Sequence, residues 1–115
     1  MTPSPALQDA GPSPAALAEL QASAGQAARM MKLLASEQRL MLLCRLLEGE
    51  CPVLELAHAA GLSQTAASQH LAKLRAERLV ETRRAAQTIF YRLEDPAVIQ
   101  VLQTLCDIYY PEAGK

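Results

Sequence analysis

The stretch SQTAASQHLAKLRAERLV (residues 63–80), followed by ETRRAAQTIFYRL (residues 81–93), decides how this chain folds. Ser63 is predicted to be a helix N-cap, because its hydroxyl can accept a hydrogen bond from a free N–H at the helix start. Downstream apolar residues such as Leu71 and Leu74 recur at helical spacing, so one face of this helix can pack on a core. The first stretch therefore predicts an amphipathic helix.

The second stretch predicts a β-hairpin. Residues 80–84 and 88–93 are rich in Val, Thr, Ile, Phe and Tyr, which strands favour, and residues 85–87 separate them as a turn. Arg83 and Arg84 are therefore expected at or near a protruding tip.

The outward face of the predicted helix carries short hydrogen-bonding side chains and one cation. They are Gln64, Thr65, Ser68, Gln69 and Lys73. Such groups can read base edges in a major groove and touch phosphates, while Arg83, Arg84 and Gln87 of the hairpin can reach the DNA backbone or minor groove. The order helix, turn, helix, hairpin is typical of a DNA-reading unit in which the second helix enters the groove. An ordinary amphipathic surface helix is the alternative, and the Arg-rich hairpin counts against it.

The charge distribution agrees with this interpretation, although the chain as a whole is formally −1. Residues 63–92 hold six cations and two acids, a net charge of +4, and the rest of the chain is net −5. Local potential matters more than the total for binding a polyanion. A weakly basic unit of this kind is expected to need two copies to bind DNA well at physiological salt.

Length and composition indicate one small helical domain that a dimer would help to stabilise. The chain has 115 residues, half of them hydrophobic, with no Trp and three cysteines. No apolar run reaches the ~20 residues of a membrane span, and the N-terminus does not resemble a signal peptide. We therefore expect a cytoplasmic protein with free thiols and no membrane partner.

Four further helices are predicted around the recognition helix. They run from Pro14, capped by Ser13, to Leu34; over Glu37–Glu48, stopped by Gly49; over Val53–Ala60, ended by Gly61; and from Asp95–Pro96 to about Tyr110, ended by Pro111. The inward stripe expected in the second of these is Leu40, Leu43, Cys44 and Leu47. Residues 1–13 are predicted to be a disordered tail, residues 14–111 the domain and residues 112–115 a short polar tail.

The string LSQTAASQHLAKLR and the hairpin sequence RRAAQTIFY resemble the ArsR/SmtB family of bacterial repressors, over about Leu17 to Tyr110. The resemblance implies a mainly α fold with a β-hairpin wing, a winged helix-turn-helix with five helices in the order α-α-α-α-β-β-α. It also implies a homodimer joined by its first and last helices, which binds an imperfect palindrome in a double-stranded DNA operator. No cofactor is implied, and no enzymatic motif is found.

The resemblance carries DNA-binding roles onto matching positions. Those positions are Ser63 and Lys73 for phosphates, Gln64, Thr65, Ser68 and Gln69 for bases, and Arg83, Arg84 and Gln87 for the wing. His70 matches a family histidine, but a half-buried structural role is equally open. Arg78 and Ala86 depart from the family pattern, because many relatives have glycine there, and the loss of glycine is expected to stiffen those turns and disfavour positive φ.

The segment LMLLCRLLEGE is similar to the branch of the family that senses persulfides and oxidants through thiols. Cys44 matches its first sensing cysteine, whereas Tyr110 stands where the second is expected. Cys106 lies one helical turn before Tyr110, on the same face, so it can approach Cys44 if the last helix packs over the second. Two interpretations stay open: a redox-sensing thiol pair, or two small core residues. Cys51, near a helix start, is either a thiol of lowered pKa or a loop residue.

A metal site is not expected. Pro52 and Leu54 stand where one family site has a Cys-x-Cys pair, and the last predicted helix has no histidine for the other. A soft metal or metalloid bound by thiolates remains an alternative inducer. A winged helix that only docks proteins remains an alternative function.

Overall fold

The computed structural model describes residues 11–109 of the chain. Within that range it contains five helices and a three-stranded antiparallel sheet. They are α1 (Pro14–Leu34), α2 (Glu37–Leu46), β1 (Cys51–Pro52), α3 (Val53–Ala60), α4 (Gln64–Ala76), β2 (Val80–Ala85), β3 (Thr88–Leu93) and α5 (Pro96–Tyr109). The predicted mainly α fold with a β-hairpin wing is confirmed. The predictions for residues 1–10, Tyr110, Pro111 and residues 112–115 lie outside the described residues.

The contacts divide the chain between Lys32 and Leu33. The first unit contains most of α1, whose start is capped as predicted, since the N–H of Ala16 donates to Ser13 Oγ at 3.1 Å. Its large apolar side chains Leu17, Leu20 and Met31 are exposed.

Residues 33–109 form the second unit, which contains α2 to α5 and the sheet. Its core is aliphatic and draws on every helix of the unit. Its fully buried side chains are Leu42, Leu43, Leu56, Leu71, Leu74, Val80, Val98, Leu102 and Cys51. Burial of one such leucine contributes about 1.5–3 kcal/mol, so this cluster is what fixes α4 and the wing.

The predicted inward stripe of α2 is only partly right. Leu43 is buried, but its buried neighbours are Leu42 and Leu46. Leu40, Cys44 and Leu47 are half-buried instead. The buried face of α2 is therefore centred on Leu42, Leu43 and Leu46 and not on the predicted stripe. Cys44 lies at the edge of the core.

The capping residues act as predicted at three helix starts. The N–H of Arg39 donates to Ser36 Oγ at 3.3 Å, that of Ala66 to Ser63 Oγ at 3.1 Å, and that of Ala97 to Asp95 Oδ1 at 2.9 Å. The end of α2 differs from the prediction, since the helix stops at Leu46 and not at Glu48. Residues 47 and 48 form a turn that leads into Gly49 at φ +130, a conformation that favours glycine.

The sheet has the strand order β1-β3-β2, and β2 and β3 form the wing. Their register pairs Val80 with Leu93 and Ala85 with Thr88, so the turn contains two residues, Ala86 and Gln87, and not the three predicted. The short strand β1 was not predicted. It pairs Cys51 with Tyr91 and Pro52 with Phe90, and two residues are too few to show strand periodicity.

Positive φ angles occur at Arg78 (64°) and Ala86 (56°). These are the two positions where the family resemblance led us to expect glycine. Left-handed backbone costs a residue with a Cβ roughly 1–2 kcal/mol, whereas glycine adopts it freely but loses about 0.5–1 kcal/mol of chain entropy. We expect Ala86→Gly to raise the free energy of unfolding by about 0.5–1 kcal/mol. Urea unfolding at one fixed protein concentration measures this.

The matched control is Ala85→Gly, one residue earlier in β2, where φ is not positive. Glycine there weakens the strand, so this variant is expected to be destabilised. Equal effects of the two substitutions would contradict the assignment of strain to Ala86.

Candidate DNA-binding surface and thiol pair

Helix α4 has one face fixed on the core and one face open. Ala67, Leu71 and Leu74 are completely buried, which anchors the helix. The predicted base-reading residues share the opposite side. Gln64, Thr65, Ser68 and Gln69 line one open surface depression together with Ala72.

Gln64, Thr65 and Gln69 are exposed, and Ser68 is half-buried. Within residues 11–109, none of these four side chains makes a hydrogen bond to the protein. Their donors and acceptors are therefore available to a ligand. A surface of this kind can form bidentate hydrogen bonds with base edges.

The helix before α4 sets its direction. Helix α3 ends at Gly61, which is left-handed at φ +65, and the N–H of Leu62 donates back to the carbonyl of Ala57 at 2.8 Å. Only residues 61–63 separate α3 from α4. This tight connection makes the pair a helix-turn-helix.

Other predicted contacts of α4 lie around its polar face. Lys73 is exposed, and Ser63 is exposed at the helix start, where its hydroxyl already accepts the N–H of Ala66. His70 is half-buried. Half-burial agrees with the structural alternative for His70, but its imidazole makes no hydrogen bond within residues 11–109.

The six cations of residues 63–92 fall into two groups. Three of them form ion pairs: Arg75 with Glu81 at 3.3 Å, Arg83 with Glu50 at 2.8 Å and Arg92 with Glu94 at 3.5 Å. In the described part of the chain, no carboxylate lies within 4.0 Å of Lys73, Arg78 or Arg84. The unpaired cations, together with the exposed Gln87 in the wing turn, are the groups best placed to meet phosphate.

The pair between Arg75 and Glu81 joins α4 to β2. Glu81 also accepts the N–H of Thr82 at 3.0 Å. This hydrogen bond, and then the positive charge of Arg75, lower the pKa of the Glu81 carboxyl. Glu81 is thus ionised at neutral pH and forms an ion pair between the wing and α4.

The structure brings Cys44 and Cys106 together. Cys44 lies in the last turns of α2 and Cys106 in α5, and their Sγ atoms are 4.0 Å apart. Both thiols are half-buried. The condition stated from the sequence, that the last helix packs over the second, is met.

Burial raises the pKa of the Cys44 thiol to about 11, and the neighbouring Cys106 adds to the rise. The sulfur separation exceeds the about 2 Å of a disulfide bond. A direct disulfide therefore requires the two sulfur atoms to move about 2 Å closer together, whereas a bridge with an inserted sulfur atom requires a smaller movement.

Cys51 does not have the lowered pKa that its position near a helix start suggested. It lies in β1, completely buried, with Sγ 3.5 Å from Glu55 Oε2. Burial raises the pKa of this thiol, which outweighs the lowering effect of Arg45, and the Glu55 carboxylate adds to the rise. Cys51 is a core residue of the strand.

Residues 11–109 contain no group of three or more His, Cys, Asp or Glu side chains arranged to hold a metal ion. Among the same residues, no helix is both long and apolar enough to pass through a bilayer.

Two residues near the wing were missed from the sequence. Glu50 and Phe90 both contact Arg83, and since Glu50 is 33 positions away along the chain, no local pattern shows it.

Comparison with known proteins gives one consistent family. The sequence model described as "Bacterial regulatory protein, arsR family" matches residues 36–82. The nodulation protein NolR of Rhizobium meliloti is 51% identical over 83 residues, which cover 72% of this chain and 68% of NolR. The transcriptional activator HlyU of Vibrio cholerae is 43% identical over 96 residues, or 84% of this chain and 89% of HlyU.

Two solved structures have the same fold. The structure of reduced HlyU from Vibrio cholerae superimposes with a TM-score of 0.75 at 42% identity, covering 80% of this chain and 97% of that one. The transcriptional repressor BigR from Xylella fastidiosa gives a TM-score of 0.75 at 40% identity, covering 79% and 93%. These relatives are regulators of transcription, one named an activator and one a repressor.

Proposed function

This chain belongs to the ArsR family of bacterial regulatory proteins, and from that premise we propose that it is a dimeric, sequence-specific DNA-binding repressor controlled by its thiols. The observation that carries the DNA-binding part is the polar face of α4, which is exposed and has no hydrogen-bond partner within the described residues. Removing such groups from water costs free energy unless a ligand forms hydrogen bonds with them. The base edges of a major groove offer the donors and acceptors for these bonds.

The proposed division of contacts follows from exposure and charge. Gln64, Thr65, Ser68 and Gln69 read bases, while Ser63, His70 and Lys73 contact the backbone close to them. Arg84 and Gln87 contact DNA from the wing. One such surface provides few phosphate contacts, and two copies double them.

Exposed apolar residues support a homodimer through the first and last helices. Leu17, Leu20 and Met31 are exposed in α1, and Ile108 and Tyr109 are exposed in α5. Large apolar side chains on two helices mark surfaces that a partner covers. A two-fold axis through such an interface presents two copies of α4 to a palindrome.

The thiol pair supports a switch. With peroxide, Cys44 and Cys106 lose two protons and two electrons, one S–S bond forms, and peroxide is reduced to two waters. With hydrogen trisulfide, the two thiols give a trisulfide bridge and two molecules of hydrogen sulfide. Either bridge ties α2 to α5. In a dimer joined through α5, that constraint changes the spacing of the two recognition helices and weakens operator binding.

A soft metal or metalloid is the second candidate inducer, because the same two sulfur atoms can ligate such an ion. The described residues provide only these two thiols at the site, since Cys51 is buried in β1 and its thiol donates a hydrogen bond to Glu55. Bridge formation needs only these two thiols from the protein, with peroxide or hydrogen trisulfide as the oxidant, so we favour it.

The direct test is a titration of short duplexes with the reduced protein, in which fluorescence anisotropy measures binding at several salt concentrations. We expect tight binding to a palindrome from the region upstream of its own gene, and weaker binding to a scrambled duplex by about 10³-fold or more. Affinity is expected to fall steeply with salt, by about 0.9 in log–log slope for each phosphate contact. Equal, weak and salt-insensitive binding to both duplexes would identify a protein-docking module instead.

A further inference from the structure

Arg83 is held by two contacts within the protein. Its Nε donates to both carboxylate oxygens of Glu50 at 2.8 Å. Its guanidinium carbon lies 4.8 Å from the centroid of the Phe90 ring, and Phe90 is the residue paired with Arg83 across the wing. These three residues are called the clamp below.

The clamp connects the wing to the rest of the second unit. Glu50 follows the left-handed Gly49 and directly precedes β1. Strand β1 pairs with β3, with Pro52 opposite Phe90. The ion pair between Glu50 and Arg83 therefore links the segment before β1 to β2, on the far side of β3.

The side chains of Arg83 and Arg84 lie on opposite faces of the wing. Successive side chains of a strand point to opposite faces, so the face that carries Arg83, Phe90 and Glu50 is not the face of Arg84. Arg84 is exposed and has no carboxylate within 4.0 Å among residues 11–109. Arg83 is paired with Glu50 at 2.8 Å, and this negative charge weakens the attraction of Arg83 to a phosphate.

The geometry points to different roles for the two adjacent arginines: Arg83 is a positioning residue, held by Glu50 and Phe90, that fixes the wing, and Arg84 contacts the DNA backbone. This inference deepens the proposed function and rests on it. The wing arginine that the sequence placed beside DNA thus acts through the strand it stiffens. Glu50 gains a role in DNA affinity without touching DNA.

The test is a double-mutant cycle on the operator with Glu50→Gln, Arg83→Ala and the combination. Exposed ion pairs and cation–π contacts are individually weak, so we expect each single variant to bind about fivefold more weakly. The double variant is expected to bind about fivefold more weakly as well, since either change opens the same clamp. The salt slope stays at the wild-type value in all three, whereas Arg84→Ala lowers it by about 0.9 for each phosphate that the wing no longer neutralises.

The opposite results overturn the inference. If Arg83 contacts phosphate, Glu50→Gln removes a competing carboxylate and raises affinity, and Arg83→Ala lowers the salt slope as Arg84→Ala does. Glu77→Gln is the matched control, because it changes the net charge equally on an exposed residue that has no ion pair within the described range.

A measurement without DNA separates the clamp from the proposed function. Amide hydrogen exchange of the wing strands is expected to be about fivefold faster in Glu50→Gln than in the wild type and unchanged in Glu77→Gln. Unchanged exchange in Glu50→Gln would overturn the clamp even if the protein binds its operator. Failure of the wild type to bind any operator would overturn the proposed function, while the exchange rates still decide whether Glu50 holds the wing.

Discussion

We expect replacement of Gln69 by alanine to lower the affinity for the operator by about 30-fold or more and to leave binding to scrambled DNA nearly unchanged. A bidentate contact to a base contributes about 1–3 kcal/mol of discrimination, and in a dimer the substitution removes it from both half-sites. Gln69 is exposed and makes no hydrogen bond within the described residues. Its removal therefore leaves the fold intact, and competition titrations against both duplexes report recognition alone.

Lys73→Ala provides the contrast. Lys73 is exposed on the same helix and has no carboxylate within 4.0 Å among residues 11–109. A phosphate contact carries no sequence information. We therefore expect this variant to bind both duplexes more weakly by similar factors and to lower the slope of log affinity against log salt concentration. If Gln69→Ala and Lys73→Ala had the same profile, Gln69 would not be reading a base.

The sequence predicted those elements whose signals are local. Ser63 and Asp95 cap helices because their side chains reach backbone N–H groups only two or three residues away. The inward face of α4 follows from the spacing of Ala67, Leu71 and Leu74, all completely buried. Positions 78 and 86 are an exception: the absence of glycine there was expected to disfavour positive φ, yet both Arg78 and Ala86 adopt it.

The features that the sequence did not predict depend on long-range contacts. Glu50 meets Arg83 across 33 positions, and β1 exists only because β3 offers it a partner. A thiol of lowered pKa and a loop residue were the two interpretations of Cys51, but the residue lies in the sheet and burial there raises its pKa. The approach of Cys106 to Cys44 was conditional on helix packing, and 62 positions separate them.

Treatment of the reduced protein with hydrogen trisulfide or peroxide is expected to lower operator affinity at least tenfold, and neither Cys44→Ser nor Cys106→Ser shows this decrease. The reason is proximity. The two Sγ atoms are 4.0 Å apart, so a sulfur atom modified on one side is held next to the other thiol. Anisotropy titrations before and after treatment measure the change in affinity, and intact mass measures the bridge.

The raised pKa of Cys44 also predicts that this thiol reacts slowly at neutral pH. With a pKa of about 11, fewer than about one Cys44 thiol in a thousand is ionised near pH 7.5, and the thiolate is the attacking species. We therefore expect Cys44 in the Cys106→Ser variant to be modified only slowly by either reagent.

The pH dependence has a definite sign, because a raised pKa limits the thiolate at all pH values below it. Bridge closure that depends on Cys44 thiolate accelerates about tenfold per pH unit between pH 7 and 9. Cys51→Ala is the control, since Cys51 is buried against Glu55 and its removal leaves both bridge and response in place. A response that survives in Cys44→Ser, or an oxidised protein that keeps full affinity despite the bridge, would show that the thiol pair does not control DNA binding.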